Sequence, residues 1–102
     1  MWKKVCDRGA VAPGAMKQFN LDGGPAVLIV NSDGQLYAYQ ADCPHEAVRL
    51  EDGVCDGGVL TCLEHLWQFD VKTGAPLGDA DTGLQSYRLK DEGGALHVWV
   101  GE

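Results

Sequence analysis

Two short stretches of this chain carry side chains that bind metals: Cys43-Pro44-His45 and, after sixteen intervening residues, Cys62-Leu63-Glu64-His65. A thiolate and an imidazole on one turn can reach the same metal centre, and a second such turn completes a set of two sulfurs and two nitrogens. That set suits either a tetrahedral zinc or an iron–sulfur cluster. Zinc sites of this composition usually pair Cys with Cys on one turn and His with His on the other, whereas here each turn supplies one of each. A [2Fe–2S] cluster in which two His replace two Cys on one iron asks for that mixed arrangement. Each loop can then place its Cys on one iron and its His on the other. The order of the ligands favours the cluster, with a Cys2His2 zinc-binding structural module as the alternative.

Such turns have to be held by something stiffer. No window places apolar residues at i, i+3, i+4 and i+7 for long enough to predict a helix, and strand signals dominate, so the chain reads as all-β. Ala26 to Val30 is a solid apolar run rich in β-branched residues, followed by Asn31-Ser32-Asp33-Gly34 and the alternating Gln35 to Gln40, which predicts a hairpin on an Asp-Gly turn. Ser86 to Lys90 and Ala95 to Val100, flanking Asp91-Glu92-Gly93-Gly94, predict a second hairpin. Trp2 to Cys6 and Met16 to Leu21 read as a first pair of strands separated by Ala12-Pro13-Gly14. Trp67 to Val71 leads into a Lys72-Thr73-Gly74 turn. From about Ala41 to His65, Pro44, Gly53, Gly57 and Gly58 break the pattern and predict an inserted, loop-built unit rather than a sheet. That unit holds both ligand pairs, together with six acids (Asp42, Glu46, Glu51, Asp52, Asp56, Glu64) and one base, Arg49.

At 102 residues and 10.9 kDa the chain has room for one domain, residues 1–102, and none for a second catalytic domain. Eight Lys and Arg against fifteen Asp and Glu give a formal charge of −7, a sign that repels phosphate backbones and anionic membranes, so neither nucleic acid nor a membrane is expected as a partner. The N-terminus lacks an apolar stretch after its lysines, and no run approaches the length of a membrane span; the expected location is the cytoplasm. In that compartment four Cys point to metal ligation or free thiols rather than to disulfides.

Cys43-Pro44-His45 and Cys62-Leu63-Glu64-His65, followed by Trp67-Gln68-Phe69, resemble the signature of the Rieske [2Fe–2S] proteins: Cys-x-His, a spacer near this length, then Cys-x-x-His. The likeness extends over nearly the whole chain. It implies an all-β Rieske fold, with an antiparallel β-sandwich or barrel-like base over about residues 1–40 and 67–102 and a small loop-rich cluster-binding subdomain over about 41–66. It further implies one [2Fe–2S] cluster, with Cys43 and Cys62 on the buried iron and His45 and His65 on the outer one. Two ferric ions, two sulfides, two thiolates and two neutral imidazoles sum to zero, so an electron is added more easily than to a four-thiolate cluster.

The resemblance thus implies a one-electron carrier that performs no substrate chemistry of its own. In the respiratory type of this group a disulfide ties the two ligand loops together, but the corresponding positions here are Val48 and Glu64. That type also has a Ser after the second His, where this chain has Leu66 and Trp67, which implies a low-potential ferredoxin of an oxygenase system. Many dioxygenase partners have Gly after the second His. His65-Leu66-Trp67 and Val27 to Asn31 leading to Tyr39-Gln40-Ala41 are closer to the ferredoxins of toluene-type diiron aromatic monooxygenases. The implied partners are a flavin-containing NADH reductase and a terminal hydroxylase, docking transiently on a monomeric ferredoxin. A ring-hydroxylating dioxygenase system is the alternative. The family covers its cluster with a third loop containing Pro, for which this chain offers Pro76 and the run Gly78 to Gly83.

The remaining candidates have plainer readings. His97 alternates with apolar neighbours in a strand and is expected to be structural. Cys6 and Cys55 lack a His at ligand spacing and are expected to be inert thiols. Trp67 and Phe69 are expected to pack beneath the cluster, and Gly53, Gly57 and Gly58 to make turns. The acids of the inserted unit are expected to steer basic partner surfaces toward the point where electrons leave.

Overall fold

The computed structural model describes residues 1–44, 48–64 and 66–100. The described chain is nearly all strand: β1 (Trp2–Asp7), β2 (Met16–Asn20), β3 (Ala26–Ser32), β4 (Gln35–Gln40), β5 (Val54–Asp56), β6 (Val59–Thr61), β7 (Gln68–Asp70), β8 (Pro76–Leu77), β9 (Leu89–Glu92) and β10 (Ala95–Trp99). Single 3-10 turns at Arg8–Ala10 and Leu50–Asp52 are the helical pieces among the described residues. No described helix is long and apolar enough to cross a membrane.

Three antiparallel sheets result, ordered β1-β10-β9, β2-β3-β4 and β5-β6-β7-β8. The middle sheet explains why the run at Val27–Val30 is apolar on every residue. Successive side chains of a strand point to opposite faces. Leu28 and Val30 enter one core with Tyr39, Leu60 and Phe69, while Val27 and Ile29 enter another with Ala38, Leu96 and Val98. β4 divides its side chains the same way, Tyr37 and Tyr39 to the first core and Leu36 and Ala38 to the second. The β2-β3-β4 sheet is therefore a central layer covered on both faces, and the first core also receives Cys43 and Cys62.

The β3-β4 hairpin forms as its sequence predicts. Ser32 pairs with Gln35 across Asp33 and Gly34, whose φ values of 57° and 93° belong to the primed turns that match strand twist. The C-terminal hairpin also forms, but its turn tightens to Gly93-Gly94 and β9 begins at Leu89. Ahead of it, Gln85 to Tyr87 runs alongside β4, with Tyr87 N–H donating to the Ala38 carbonyl.

Two expectations are corrected. β1 and β2 are not partners: β1 pairs with β10 and β2 with β3. The connection between them is a corner, with a 3-10 turn, Arg8 N–H donating to the Gly94 carbonyl, and Gly14 N–H donating to the Asn31 carbonyl. Asn31, buried on β3, fastens that corner by donating from Nδ2 to the Val11 carbonyl while its Oδ1 accepts from Gly34 N–H. The stretch from Ala41 to His65 is not wholly loop-built either. Val54–Asp56 and Val59–Thr61 form a short hairpin on Gly57-Gly58, and β7 and β8 extend it to four strands. Strands of three residues are too short to show the alternation that marks a strand in sequence.

Candidate metal centre

Each cysteine of the two motifs sits at the mouth of a loop closed by the same backbone bond. Cys43 N–H donates to the Val48 carbonyl at 2.9 Å, and Cys62 N–H donates to the Trp67 carbonyl at 2.8 Å. In both cases the acceptor lies five residues ahead. The first loop rises from an antiparallel bridge between Asp42 and Arg49, reinforced by Leu50 N–H on the Ala41 carbonyl. The second continues β6 and returns into β7. Where Leu50–Asp52 turns back against β6, a side chain at Gly53 would run into the Thr61 carbonyl oxygen, so only glycine fits the residue before β5. That close approach holds the two loops side by side.

Cys43 and Cys62 are buried in one apolar cluster with Leu50, Leu60, Phe69, Val71, Ala80 and Leu84, and Val48 and Trp67 pack against it. Their side chains meet through a hydrogen bond, and no disulfide joins them. Burial pushes the Cys62 thiol up from its ordinary range and the neighbouring Cys43 adds to the rise, while a backbone hydrogen bond from Glu64 works in the opposite direction. Two adjacent buried sulfurs fit a metal centre, whose positive charge stabilises both as thiolates. Trp67 meets the fully buried Phe69 edge to face, with ring centroids 6.4 Å apart, and so packs beneath this site as expected. Ala80 and Leu84 bring the 78–84 loop onto the same core, anchored by Leu84 N–H on the Gly74 carbonyl; Pro76 lies before it, in β8.

His45 and His65 lie outside the described residues. Of the other candidates, His97 is on β10, in the sheet beyond the central layer from the two cysteines, with Nδ1 3.2 Å from the Ala95 carbonyl oxygen. Cys6 belongs to the second core, and burial pushes its thiol up, as it does that of half-buried Cys55.

A family match separates the two chemistries left open by the ligand types: residues 1–88 match the Rieske [2Fe–2S] domain. The chain belongs to the Rieske family. Its cofactor is a [2Fe–2S] cluster, and the zinc alternative falls. The Rieske chain is 41% identical over 95 residues to the ferredoxin component of the alkene monooxygenase system of Xanthobacter autotrophicus (strain ATCC BAA-1158 / Py2), covering 92% of this chain and 77% of that one. It is 33% identical to the methanesulfonate monooxygenase ferredoxin subunit of Methylosulfonomonas methylovora, covering 99% of this chain and 82% of that one. Among solved structures it resembles a chain in the complex of reduced oxygenase and oxidized ferredoxin in carbazole 1,9a-dioxygenase. The TM-score is 0.86 at 28% identity, with 95% of this chain and 91% of that one covered.

Two features near the Rieske site gave no signal in the sequence. Leu66, directly before the Trp67 that closes the second loop, has φ 56°, a left-handed conformation that costs a residue with a Cβ about 1–2 kcal/mol. The second is the placement of charge. Arg49, the base of the acidic segment, is ion-paired with Glu51, whose carboxylate also accepts from Gln18 N–H. Asp56 sits at the Gly57-Gly58 end of its hairpin, three residues or roughly 10 Å from the end that leads to Cys62. Asp42, Asp52, Asp56 and Glu64 are the exposed acids of the segment among the described residues, Asp42 and Glu64 within two residues of a motif cysteine; Asp79 and Asp81, also exposed, flank Ala80, which packs in the same core as both cysteines.

Proposed function

We propose that this Rieske protein is a one-electron carrier that takes electrons from an NADH-dependent flavin reductase and delivers them to the terminal hydroxylase of a multicomponent hydrocarbon monooxygenase. In this reading Cys43, His45, Cys62 and His65 hold the cluster. The observation that carries it is the meeting of Cys43 and Cys62 at the mouths of two loops with one closure pattern. Likeness to the alkene monooxygenase component supports a monooxygenase partner and an unsaturated substrate class, aromatic hydrocarbons or alkenes. A dioxygenase partner is the second reading, supported by the structural likeness to a chain from the carbazole dioxygenase complex.

The cluster, when bound, supplies a one-electron couple. The chain's own residues do the rest: the backbone bonds at Val48 and Trp67 set the loops, and the buried core keeps water from both sulfurs. Exposed acids around the loops attract cationic partner surfaces from a distance. The test is reconstitution of the purified protein with an NADH–flavin reductase and, separately, with a diiron hydroxylase and a Rieske dioxygenase. Coupled NADH oxidation and product with the hydroxylase, slowing as salt rises, is the expected result. Turnover with the dioxygenase alone would select the second reading.

A further inference from the structure

We infer that Gln40 is a positioning residue for the cluster: its side-chain amide holds the peptide from which Cys43 projects and ties it to the segment that follows the 78–84 loop, an inference that rests on the reading of Cys43 as a ligand. β4 ends at Gln40, where the chain turns out of the central sheet toward Cys43. Up to that point Gln85 to Tyr87 pairs with β4 through the main chain. Tyr87 N–H donates to the Ala38 carbonyl and Gln40 N–H to the Gln85 carbonyl, each at 2.9 Å. The next rung is made differently. Gln85 N–H donates to Gln40 Oε1 at 2.7 Å, so a side chain continues the ladder where the backbone departs.

The other end of the same amide, Nε2, donates to the Asp42 carbonyl at 2.8 Å. That carbonyl belongs to the Asp42–Cys43 peptide, whose N–H donates to the Val48 carbonyl. Both polar atoms of one planar peptide are therefore held, which restricts the direction in which Cys43 leaves the backbone. A carboxylate in place of the amide would have no donor for Asp42, and an apolar side chain would offer neither group. Through Gln85 the amide also joins the exit of the 78–84 loop to the entry of the first ligand loop, and Ala80 and Leu84 of the former share a core with Cys43 and Cys62. Releasing this tie admits water to the buried sulfurs. By the ligand count above, the oxidised cluster is neutral and the reduced one carries a negative charge, which water favours. Loss of the amide should therefore make reduction easier.

The experiment compares cluster-loaded wild type with Gln40→Met, which keeps length and neutrality without the hydrogen bonds, and with Gln85→Ala, which keeps the main-chain groups that Gln85 contributes. In a redox titration, at the ambient potential where wild type is half reduced, Gln40→Met should stand at a reduced-to-oxidised ratio of about three or more, while Gln85→Ala stays near one. In oxidised wild type the Gln85 amide hydrogen should exchange at least about tenfold more slowly than an unstructured amide. The inference is overturned if the ratio in Gln40→Met matches wild type or falls below it, if Gln85→Ala shifts as far, or if the wild-type Gln85 amide exchanges at the unstructured rate. That last measurement decides the matter should Gln40→Met fail to assemble its cluster. A full cluster in Cys43→Ser is a different result: it overturns the ligand reading, and this inference with it.

Discussion

Tyr39→Phe removes one oxygen from the centre of the molecule and should reveal how firmly the cysteine-bearing sheet is attached to the central one. The Tyr39 hydroxyl donates to the Val71 carbonyl at 2.5 Å, and its ring lies against Gly74, where an added Cβ would sit 2.9 Å from Tyr39 Cε1. Val71 is fully buried, so the substitution strands a carbonyl that water cannot reach. Leaving a buried acceptor unpaired costs about 1–3 kcal/mol. For a domain of this size that lowers Tm by roughly 5–15 °C. The phenol adds a pH signature. Burial, the neighbouring Tyr37 and Asp70 push its pKa up from 10.0 to about 12. The folded state thus keeps a proton that the unfolded chain releases above pH 10. The contribution is complete below pH 10 and is lost as pH rises toward 12, at about 1.4 kcal/mol per pH unit and about 2–3 kcal/mol in all. The assay is thermal unfolding of both cluster-loaded proteins by circular dichroism, at one scan rate, from pH 8 to 11.5. Wild type should be the more stable at pH 8, and the gap should close above pH 10. Equal stability at pH 8, or a gap that stays constant to pH 11.5, would refute the staple.

Other consequences can be checked with simpler measurements. Cys43→Ser or Cys62→Ser should abolish visible absorption, iron and acid-labile sulfide, whereas Glu64→Gln should retain all three because the contact of Glu64 with Cys62 is made by its backbone. A full complement of iron and sulfide in Cys43→Ser would contradict the ligand assignment. Gly53→Ala drives a methyl group into the Thr61 carbonyl and should cost about 1–3 kcal/mol as an overpacking substitution, together with lower iron per chain. Wild-type iron content and Tm in that variant would show that the two loops do not depend on the close approach.

What could be read in advance follows from how local each signal is. The β3-β4 hairpin was legible because its turn chemistry and its alternation lie within fifteen residues; that the run at Val27–Val30 is buried on both faces emerges only with the two cores in place. The pairing of β1 with β10 was not, since it joins residues more than ninety positions apart and nothing near Trp2 names the partner. β5 and β6 escaped notice for a different reason: three residues on either side of Gly57-Gly58 carry too little pattern to distinguish a hairpin from a loop. The motif cysteines were legible as a pair because ligand chemistry restricts residue types severely.

The backbone around those cysteines shows where the limit lies. Cys43 and Cys62 stand in loops of different sequence, Pro44 and Val48 in one and Leu63, Leu66 and Trp67 in the other, yet both close by an N–H to a carbonyl five residues ahead. A main-chain bond can be made by nearly any residue, so it leaves no mark in the sequence except where a side chain conflicts with the conformation it imposes. Leu66 is such a conflict. In a chain read without coordinates it counts as one more hydrophobic residue, expected inside; at φ 56° and 65% exposed it is neither comfortable nor buried. The physical cost of keeping it there can be measured by thermal unfolding of Leu66→Gly, because glycine adopts that backbone without strain: a higher Tm than wild type is expected, and a lower one would show that the leucine side chain supports the fold.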